Sequence, residues 1–508
     1  MSTKSYDWIA HHARTRPDKL AQVDLGTDRR FTYAEMNDRC SRLATALRDT
    51  HGIEFGDRVA VLANNNTNFF EVQFACWKLG AIFTPLNWRL AGPEIEFILG
   101  DCRPKLLIVD DSFVDMAAQV VADGAAVTVL NWDVESEYEG LLSGAAPLER
   151  AVDCTHDTPI TIMYTSGTTG RPKGCIITQG MVFYNAINLV EFCMVGTETT
   201  CLTVLPLFHT AGLNVFANPA YHFGGTNVVM RDFDPGKALE LLGDAELAIT
   251  HFMGVPTVYL FMSQHPDFKT ATFPTVKSAA LGGAPSPLPL LEAWGAKGLP
   301  LQQAFGMTET SPLSTALKPE DAMVKIGSAG LPALHTEVRV VDEAGNDVAP
   351  GEVGEIWTRG PNVTPGYWEY PEANESSFVD GYLKTGDAAR IDEDGYIYIV
   401  DRWKDMYISG GENVYPAEVE TVLYQLDAVG EAAIIGVPDE RWGEVGRAII
   451  VLKPDAQLDA ATVISHCAER LAKFKVPTSA VFVDELPHNA TGKVLKRELR
   501  LSHGEAAG

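Results

Sequence analysis

Residues 164–174 read YTSGTTGRPKG. These eleven positions hold three glycines, four Ser or Thr hydroxyls, one proline and two cations, and Tyr164 supplies the one large apolar side chain. Glycine tolerates positive φ and lets a ligand approach the backbone, while exposed N–H groups and hydroxyls can surround phosphate oxygens. The preceding run PITIMY is typical of a buried strand. The stretch is therefore predicted to be a strand that leads into a phosphate-binding loop.

The loop does not match the Walker A pattern G-x-x-x-x-G-K-[ST], because the fifth residue after Gly167 is Pro172 rather than glycine. P-loop kinases and NTPases are therefore disfavoured. An ordinary exposed surface loop remains the alternative, since Gly- and Thr-rich segments commonly form one.

The chain has 508 residues, of which 46% are apolar and 21% charged, as expected for a globular protein of several structural units. Its net charge of -27 argues against a nucleic acid partner, because phosphate backbones are bound by surplus Lys and Arg. A polyanionic ligand must therefore be held by local donors against the mean field of the protein.

None of the eight cysteines forms a C-x-x-C pair, which disfavours a zinc knuckle or a disulfide framework and favours reduced thiols. The N-terminus has no apolar h-region, and no run approaches the ~18 apolar residues of a membrane span. The C-terminal HGEAAG carries no lipidation signal. We expect a cytoplasmic protein without a membrane span, and a homodimer is left open.

Strand-like and helical segments alternate early in the chain. Thr32 and Glu35 form a predicted capping box at the start of a helix, followed by strand DRVAVLA, helix FFEVQFACWKLGA and strand KLLIVDD. This order predicts an α/β architecture with parallel strands.

Short strands and helices after residue 400 predict a separate small α+β domain. These are a helix from Pro416, strands EAAIIGVP and RAIIVLK, a helix around 459–472 and strand AVFVDEL. The expected boundaries are an N-terminal domain at 1–400, a hinge at 401–405 and a C-terminal domain at 406–508.

YTSGTTGRPKG resembles the phosphate-loop signature of the adenylate-forming (AMP-binding) superfamily. This superfamily includes acyl- and aryl-CoA synthetases, firefly-type luciferases and peptide-synthetase adenylation domains. Further matches follow in the family's order along nearly the whole chain. They are LPLFHTAG (205–212), ALGGAP (280–285), AFGMTE (304–309), KTGD (384–387), DRWKD (401–405), SGGENVYP (409–416) and NATGKVLKREL (489–499).

The resemblance implies a large N-terminal domain of several subdomains and a small mobile C-terminal domain. It also implies two half-reactions with ATP, Mg²⁺ and coenzyme A. A carboxylate first attacks the α-phosphorus, giving an acyl-adenylate and pyrophosphate. The CoA thiol then attacks the activated carbonyl, giving a thioester and AMP.

By the same resemblance Lys493 offsets charge on the α-phosphate, Glu309 holds Mg²⁺ together with Thr165, Thr308 donates to the α-phosphate, and His209 borders the acyl group. The implied nucleotide-binding residues are Thr165, Ser166, Gly167, Thr168, Thr169, Gly170, Lys173, Gly283, Ala284, Phe305, Gly306, Asp387 and Arg402.

Five of these residues also have a simpler interpretation. Lys493 could be a solvated surface cation, and Glu309 could cap a helix. Asp387 could be a turn residue after Gly386. His209 could be a packed core histidine, and Phe305 could serve both the core and the adenine ring.

In relatives the C-terminal domain rotates about a hinge, here Lys404, so that the lysine withdraws and the thiol gains access. Glycines allow the backbone to line a narrow pantetheine tunnel, and Trp442 could stack on the CoA adenine. The implied CoA contacts are Arg89, Gly410, Gly411, Asn413, Trp442 and Phe474.

The candidate acyl pocket is apolar or small, which fits a fatty chain or an aryl or cinnamic acid. Its residues are Phe208, Ala211, Gly212, Met253, Leu281, Gly282, Ala304, Pro312 and Leu313. Amino-acid activation is disfavoured, because LNVFANPAYHFGG contains no acid to pair with a substrate ammonium.

Several rival functions stay open. A luciferase-like oxygenase is disfavoured because nothing in the sequence marks a luciferin site, and a carrier-protein ligase is disfavoured because we expect no carrier domain after Lys493. Outside the family, an ATP-binding kinase or NTPase would release ADP rather than AMP, and an inactive binding protein would bind nucleotide without turnover.

Overall fold

The computed structural model describes residues 3–122, 124, 127–134, 137–166, 172–284, 286–402, 405–410, 412–439, 441–488 and 494–505. Of Ser166, Arg402 and Asn413 the structure describes the backbone only. Among the described residues, no helix has both the length and the apolarity needed to cross a membrane.

The first part of the chain alternates helices and strands as the sequence predicts. Its elements are α1 (Trp8–Thr15), β1 (Leu20–Asp24), β2 (Arg30–Thr32), α2 (Tyr33–His51), β3 (Arg58–Leu62), α3 (Asn68–Leu79), β4 (Ile82–Pro85), α4 (Gly92–Cys102), β5 (Leu106–Val109), α5 (Val114–Ala122), β6 (Thr128–Asn131), α6 (Tyr138–Gly144), β7 (Pro159–Ser166), β8 (Pro172–Thr178) and α7 (Gln179–Cys193).

The middle of the chain continues the alternation and ends in a run of strands. Its elements are β9 (Thr200–Thr203), α8 (Thr210–Gly212), α9 (Asn218–Phe223), β10 (Thr226–Val229), α10 (Pro235–Gly243), β11 (His251–Gly254), α11 (Pro256–Gln264), β12 (Ser278–Leu281), α12 (Leu288–Ala296), β13 (Gln302–Gly306), β14 (Leu313–Ala316), β15 (Leu331–Pro332), β16 (Glu337–Val341), β17 (Val353–Arg359), α13 (Pro371–Ser377), β18 (Phe378–Val379), β19 (Tyr382–Ile391) and β20 (Ile397–Arg402).

The last part of the chain forms the small unit predicted after residue 400. Its elements are β21 (Tyr407–Ser409), β22 (Glu412–Val414), α14 (Pro416–Leu423), β23 (Val429–Asp439), β24 (Gly443–Leu452), α15 (Ala460–Ala468), β25 (Ser479–Phe482) and α16 (Lys496–His503).

Four sheets organise these elements. A six-stranded sheet has the order β6-β5-β3-β4-β7-β8, and a nine-stranded sheet has the order β15-β14-β13-β12-β11-β9-β10-β1-β2. Neighbouring strands in the interior of both sheets are parallel, which confirms the predicted α/β architecture. An antiparallel sheet is built from β16 to β20, and the sheet of the C-terminal unit has the order β22-β21-β24-β23, with β25 on β24.

Local signals in the sequence explain where several elements begin and end. Thr32 and Glu35 form the predicted capping box of α2, and Gly52 ends that helix in the left-handed conformation. Helix α15 ends at Ala468, four residues before the predicted end at 472. Strand β20 continues through Arg402, so the predicted hinge at 401–405 begins inside a strand.

A buried ion-pair network joins α2, α3 and α6. The carboxylate of Glu71 is completely buried, and it accepts hydrogen bonds from Arg39 Nε at 2.7 Å and from the Tyr138 hydroxyl at 3.0 Å. Arg39 Nη1 also donates to Glu139 at 2.9 Å. Losing one partner of a buried pair leaves the other charge uncompensated, which costs far more than the pair itself contributes.

We therefore expect Glu71→Gln to lower the free energy of unfolding by about 3 kcal/mol. Asp49→Asn is the matched control, because it breaks an exposed pair with Arg48 and should leave the free energy of unfolding almost unchanged. Urea denaturation followed by circular dichroism measures both values. Equal losses in the two variants would contradict the interpretation.

Candidate active site

The strands on either side of the predicted phosphate loop pair with each other. The strand prediction for PITIMY is confirmed, and β7 pairs with β8 in an antiparallel register that places Thr165 opposite Lys173 and Ser166 opposite Pro172. Both ends of the predicted loop are therefore strand. The predicted contacts Gly167, Thr168, Thr169 and Gly170 lie outside the described residues.

A tyrosine that the sequence analysis did not single out connects two predicted site residues. The Tyr367 hydroxyl donates to Glu309 Oε1 at 2.9 Å, and the Lys173 ammonium lies 5.2 Å from the centroid of the Tyr367 ring. The Thr364 N–H also donates to the Glu309 carbonyl at 2.7 Å. One segment after β17 thus fixes both the predicted phosphate-binding lysine and the predicted metal-binding carboxylate.

The residues predicted for Mg²⁺ fit a site completed by substrate phosphates. Glu309 supplies a buried carboxylate, and the Thr165 hydroxyl lies on β7, 3.5 Å from the carbonyl of Lys173. Among the described residues no group of three or more His, Cys, Asp or Glu side chains could hold a metal. Mg²⁺ commonly uses one or two carboxylates together with phosphate oxygens, so this donor set suits it.

A cleft of about 1100 Å³ lies between the C-terminal unit and the rest of the chain. Five of the predicted nucleotide-binding residues share its lining, and so does Phe474, which was predicted for CoA. The five are Gly283, Ala284, Phe305, Gly306 and Asp387.

Two glycines of this lining are needed for backbone geometry. Gly283 has φ +89°, a conformation that other residues rarely adopt. A Cβ on Gly306 would lie 1.7 Å from the Pro312 carbonyl oxygen. The two loops therefore keep a close approach that larger residues would prevent.

Asp387 is a strand residue, so the alternative interpretation as a turn residue is wrong. It lies within β19, directly opposite Arg402 on β20, and only 6% of its surface is exposed. The backbone N–H of Gly386 donates to Glu355 Oε1 at 2.9 Å. Asp387 lines the cleft, and the Arg402 side chain lies outside the described atoms.

His209 is held as an uncharged group at the start of α8. Its Nδ1 accepts from the Ala211 N–H at 3.2 Å, and burial lowers the pKa of His209 to about 4. A neutral imidazole can border an apolar acyl group without introducing a charge.

Asn65 fixes the segment that leads to His209. Its amide donates to the carbonyls of Leu205 and Met230 at 3.0 and 3.3 Å, and its oxygen accepts from the Leu207 N–H at 2.9 Å. Asn65 follows strand β3, which belongs to the other large sheet. It therefore ties the two large sheets together at the edge of the predicted acyl pocket.

The predicted acyl-pocket residues lie at the boundary of three apolar clusters. A Cβ on Gly282 would lie 3.7 Å from Met253 Cε and 3.0 Å from the Ala304 carbonyl, which places these three together. Leu313 is buried in one cluster, against which Ala211, Met253 and Ala304 pack. Phe208 and Leu281 are buried in the other two clusters. A Cβ on Gly212 would meet the carbonyl oxygens of Leu205 and Pro206, and one on Gly306 would meet that of Pro312.

Comparison with known proteins agrees with this architecture. A family model for AMP-binding enzymes matches residues 9–368, and a model for the AMP-binding enzyme C-terminal domain matches residues 418–493. The chain belongs to the AMP-binding enzyme family. The predicted family resemblance is thereby confirmed.

Similar proteins cover almost the whole chain. A feruloyl-CoA synthase from Amycolatopsis sp is 40% identical over 503 residues, which are 98% of each chain. The long-chain-fatty-acid–CoA ligase FadD13 of Mycobacterium tuberculosis is 39% identical over 503 residues, again 98% of each. The crystal structure of ATP-bound MatB from Rhodopseudomonas palustris has a TM-score of 0.89 and 33% identity, covering 98% of this chain and 99% of that one.

In this AMP-binding enzyme the predicted CoA residues lie on two units. Arg89 stacks on Trp88 in the first part of the chain, at 4.7 Å from the ring centroid. In the C-terminal unit, a Cβ on Gly410 would lie 2.9 Å from the ring of Trp442, and 43% of Trp442 is exposed. Gly411 and the Asn413 side chain lie outside the described atoms.

The predicted catalytic Lys493 and hinge Lys404 of this AMP-binding enzyme also lie outside the described residues. On either side of 489–493, His488 and Val494 form an antiparallel bridge. Both residues line the same cleft as Phe305 and Asp387. The described ends of the lysine segment therefore face the predicted nucleotide site.

The contact between Tyr367 and Glu309 gives a test of the predicted metal site. Tyr367→Phe removes the hydroxyl but keeps the ring beneath Lys173, so we expect the Mg²⁺ concentration for half-maximal activity to rise by about 10-fold. The expected size is that of one hydrogen bond to a charged group, and activity titrations at fixed ATP measure it.

Tyr370→Phe is the matched control, since the Tyr370 ring also lies 5.4 Å from the Lys173 ammonium. It should leave the Mg²⁺ requirement unchanged. A rise of the same size in both variants would show that the Tyr367 hydroxyl has no special part in metal binding.

Proposed function

We propose that this protein is an AMP-forming acid–CoA ligase that converts an apolar carboxylic acid into its CoA thioester. The observation that carries the proposal is the cleft, in which Phe305 and Asp387 of the large unit face Phe474 and the ends of the Lys493 segment of the small unit. The named relatives are CoA ligases and synthases that match the chain from end to end.

The first half-reaction joins two anions, so its main requirement is charge stabilisation. Lys493 offsets the charge that develops on the phosphoryl oxygens, and Thr308 donates to the α-phosphate. The hairpin with Lys173 holds the β- and γ-phosphates, and Asp387 accepts from the ribose hydroxyls. Mg²⁺, held through Glu309 and Thr165, would neutralise phosphate charge when bound.

The second half-reaction requires that the lysine leave the site. A side chain placed over the α-phosphate blocks the approach of the CoA thiol to the carbonyl carbon. Rotation of the C-terminal unit about Lys404 removes the block and brings the glycines at 410 and 411 to the thiol path. Asn413, Trp442 and Arg89 are the proposed CoA contacts in that state.

The acid is proposed to be a monocarboxylate with a fatty chain or an aryl group. The nine predicted acyl-pocket residues are uncharged, and the pKa of about 4 keeps the adjoining His209 neutral. A second substrate carboxylate would lie unpaired among them at a high cost in desolvation. The relatives include feruloyl-CoA synthases and long-chain fatty acid ligases, which leaves both groups open.

We also propose that the protein acts in the cytoplasm. Its eight cysteines are all buried and free of disulfides, as is common for proteins in a reducing compartment. A homodimer remains a proposal, and sedimentation of the purified chain would test it.

A panel of fatty, aryl and cinnamic acids tests the function directly. We expect AMP and pyrophosphate to form with MgATP, with CoA required for sustained turnover and a thioester as product. ADP as the product would favour a kinase or NTPase. AMP release that is indifferent to CoA would favour another acceptor, as in a luciferase or a carrier-protein ligase.

Lys493→Ala tests the assigned catalytic lysine. We expect carboxylate-dependent ATP–pyrophosphate exchange to fall by about 10²-fold or more, the size of losing one preorganised transition-state donor. Thioester formation from a supplied acyl-adenylate should be nearly unchanged, because the lysine has left the site in that step.

Lys473→Ala is the matched control, since this exposed lysine lies on the same unit. It should leave both half-reactions at the wild-type rate. Equal damage by Lys493→Ala to the two half-reactions would contradict an alternating site.

A further inference from the structure

Helix α16 contacts both ends of the predicted hinge. Lys496 and Arg500 are four residues apart on this helix and therefore point to the same side. Lys496 Nζ lies 3.9 Å from Asp401 Oδ2, and Arg500 Nη1 lies 3.1 Å from Asp405 Oδ1. The two acids are the first and last residues of the hinge segment 401–405.

Asp401 also caps a helix of the C-terminal unit. Helix α14 begins at Pro416, which has no N–H, and the side chain of its N-cap residue Tyr415 does not cap it. Instead, Asp401 Oδ2 accepts from the Ala417 N–H at 2.9 Å. A carboxylate at a helix N-terminus satisfies a free donor and interacts favourably with the helix dipole.

Lys496 links this cap to the interior of the C-terminal unit. Its ammonium lies 2.8 Å from Glu420 Oε1, which also accepts from the Ile434 N–H at 2.8 Å. Only 12% of the Lys496 side chain and 7% of Asp401 are exposed. Burial lowers the pKa of Lys496, but the carboxylates of Glu420 and Asp401 outweigh it, so the net pKa is raised and the lysine stays charged.

One of the two hinge contacts of α16 joins residues on opposite sides of the proposed hinge residue Lys404, and the other does not. Arg500 and Asp405 both lie on its C-terminal side, so they would move together when the small unit rotates. Asp401 lies on the other side, in a strand of the large unit, whereas Ala417 and Lys496 belong to the small unit. A large rotation about Lys404 must therefore break both contacts of Asp401 and can leave that of Arg500 intact.

We propose that Asp401 and Lys496 form a latch that holds the C-terminal unit in the orientation described here, with His488 and Val494 facing the nucleotide cleft. This inference rests on the proposed two-step function, because the described orientation is then the one that forms the acyl-adenylate. Asp401 and Lys496 are positioning residues: they act through the placement of the Lys493 segment rather than on the substrate.

The latch sets how readily the small unit leaves the first orientation. A hydrogen bond or ion pair involving charged groups changes an equilibrium by roughly tenfold. Weakening the latch should therefore shift the ratio of the two orientations about 10-fold toward the second. It should impair adenylation and spare or speed thioester formation, whereas a merely structural role would affect both steps alike.

Asp401→Asn is the most conservative test, because asparagine keeps the size and an acceptor for Ala417 but loses the charge that pairs with Lys496. We expect ATP–pyrophosphate exchange to fall by up to about 10-fold, while CoA acylation from supplied acyl-adenylate stays at the wild-type rate or rises. Lys496→Gln should show the same difference between the half-reactions, together with an equal loss in both because Glu420 also loses its partner. The double variant should show no larger difference between the half-reactions than either single variant, since both substitutions remove the contact between Asp401 and Lys496.

Arg500→Gln is the matched control on the same helix, one turn further along. It breaks an ion pair with the other end of the hinge segment, and it should change both half-reactions by the same factor. The latch would be overturned if Arg500→Gln impaired adenylation and spared thioester formation to the same extent as Asp401→Asn. Equal losses of the two half-reactions in Asp401→Asn would overturn it too.

A distance measurement tests the latch without catalysis. The eight native cysteines are buried, so dyes can be attached selectively at Glu292→Cys on α12 and Glu469→Cys after α15, both exposed positions. We expect Asp401→Asn to change the ratio of the two orientations about 10-fold, so that fewer molecules show the energy-transfer value that predominates in the wild type. Arg500→Gln should leave this ratio unchanged. An unchanged distribution in Asp401→Asn overturns the latch.

These readouts separate the latch from the proposed function. A wild-type protein that shows no carboxylate-dependent exchange with any acid of the panel refutes the function, while the distance measurement still decides whether Asp401 holds the orientation. The latch alone is refuted if the wild-type protein performs both steps while Asp401→Asn affects the two half-reactions equally and leaves the energy-transfer distribution unchanged.

Discussion

Repulsion between two anions is the constraint on which the rest of this site depends. A carboxylate and a phosphate at ~4 Å repel by about 4 kcal/mol at an effective dielectric of ~20, and the net charge of -27 adds an unfavourable mean field. Local donors must therefore supply the attraction. In the proposed site the segment between β7 and β8 supplies backbone N–H groups. Lys173 lies 5.2 Å from the centroid of the Tyr367 ring, and the hydroxyl of the same tyrosine donates to Glu309.

The same constraint explains why the site is shared between two units. A cation close enough to stabilise the phosphorus centre also occupies the space that the thiol needs, so one rigid site cannot serve both steps equally well. In the proposed mechanism the small unit solves this by rotating as a body, and it has a sheet of β21 to β25 and a hydrophobic core of its own. The contacts of Asp401 with Ala417 and Lys496 then determine how firmly the first arrangement is held.

Local patterns predicted most of the fold, because they depend on neighbours in the sequence. The capping box at Thr32 and Glu35, the strand before the glycine-rich loop and the helix at Pro416 are all of this kind. The residues that were missed act over long sequence separations: Tyr367 contacts Glu309, and Asn65 contacts Leu205 and Leu207. An aromatic after a Pro-Gly pair and an asparagine after a strand are too common to indicate such contacts. At Asp387 a local pattern was misleading. Its Gly-Asp pair allowed a turn as the alternative interpretation, but pairing with β20 makes Asp387 a strand residue.

The central claim is that the carboxylate oxygen attacks the α-phosphorus of ATP. The most direct test uses a carboxylic acid with ¹⁸O in both carboxylate oxygens, incubated with MgATP, CoA and the wild-type protein, followed by mass spectrometry of the nucleotide product. The account predicts AMP that carries one ¹⁸O atom and a thioester that retains the other. Unlabelled AMP, or ADP with the label in inorganic phosphate, would contradict it.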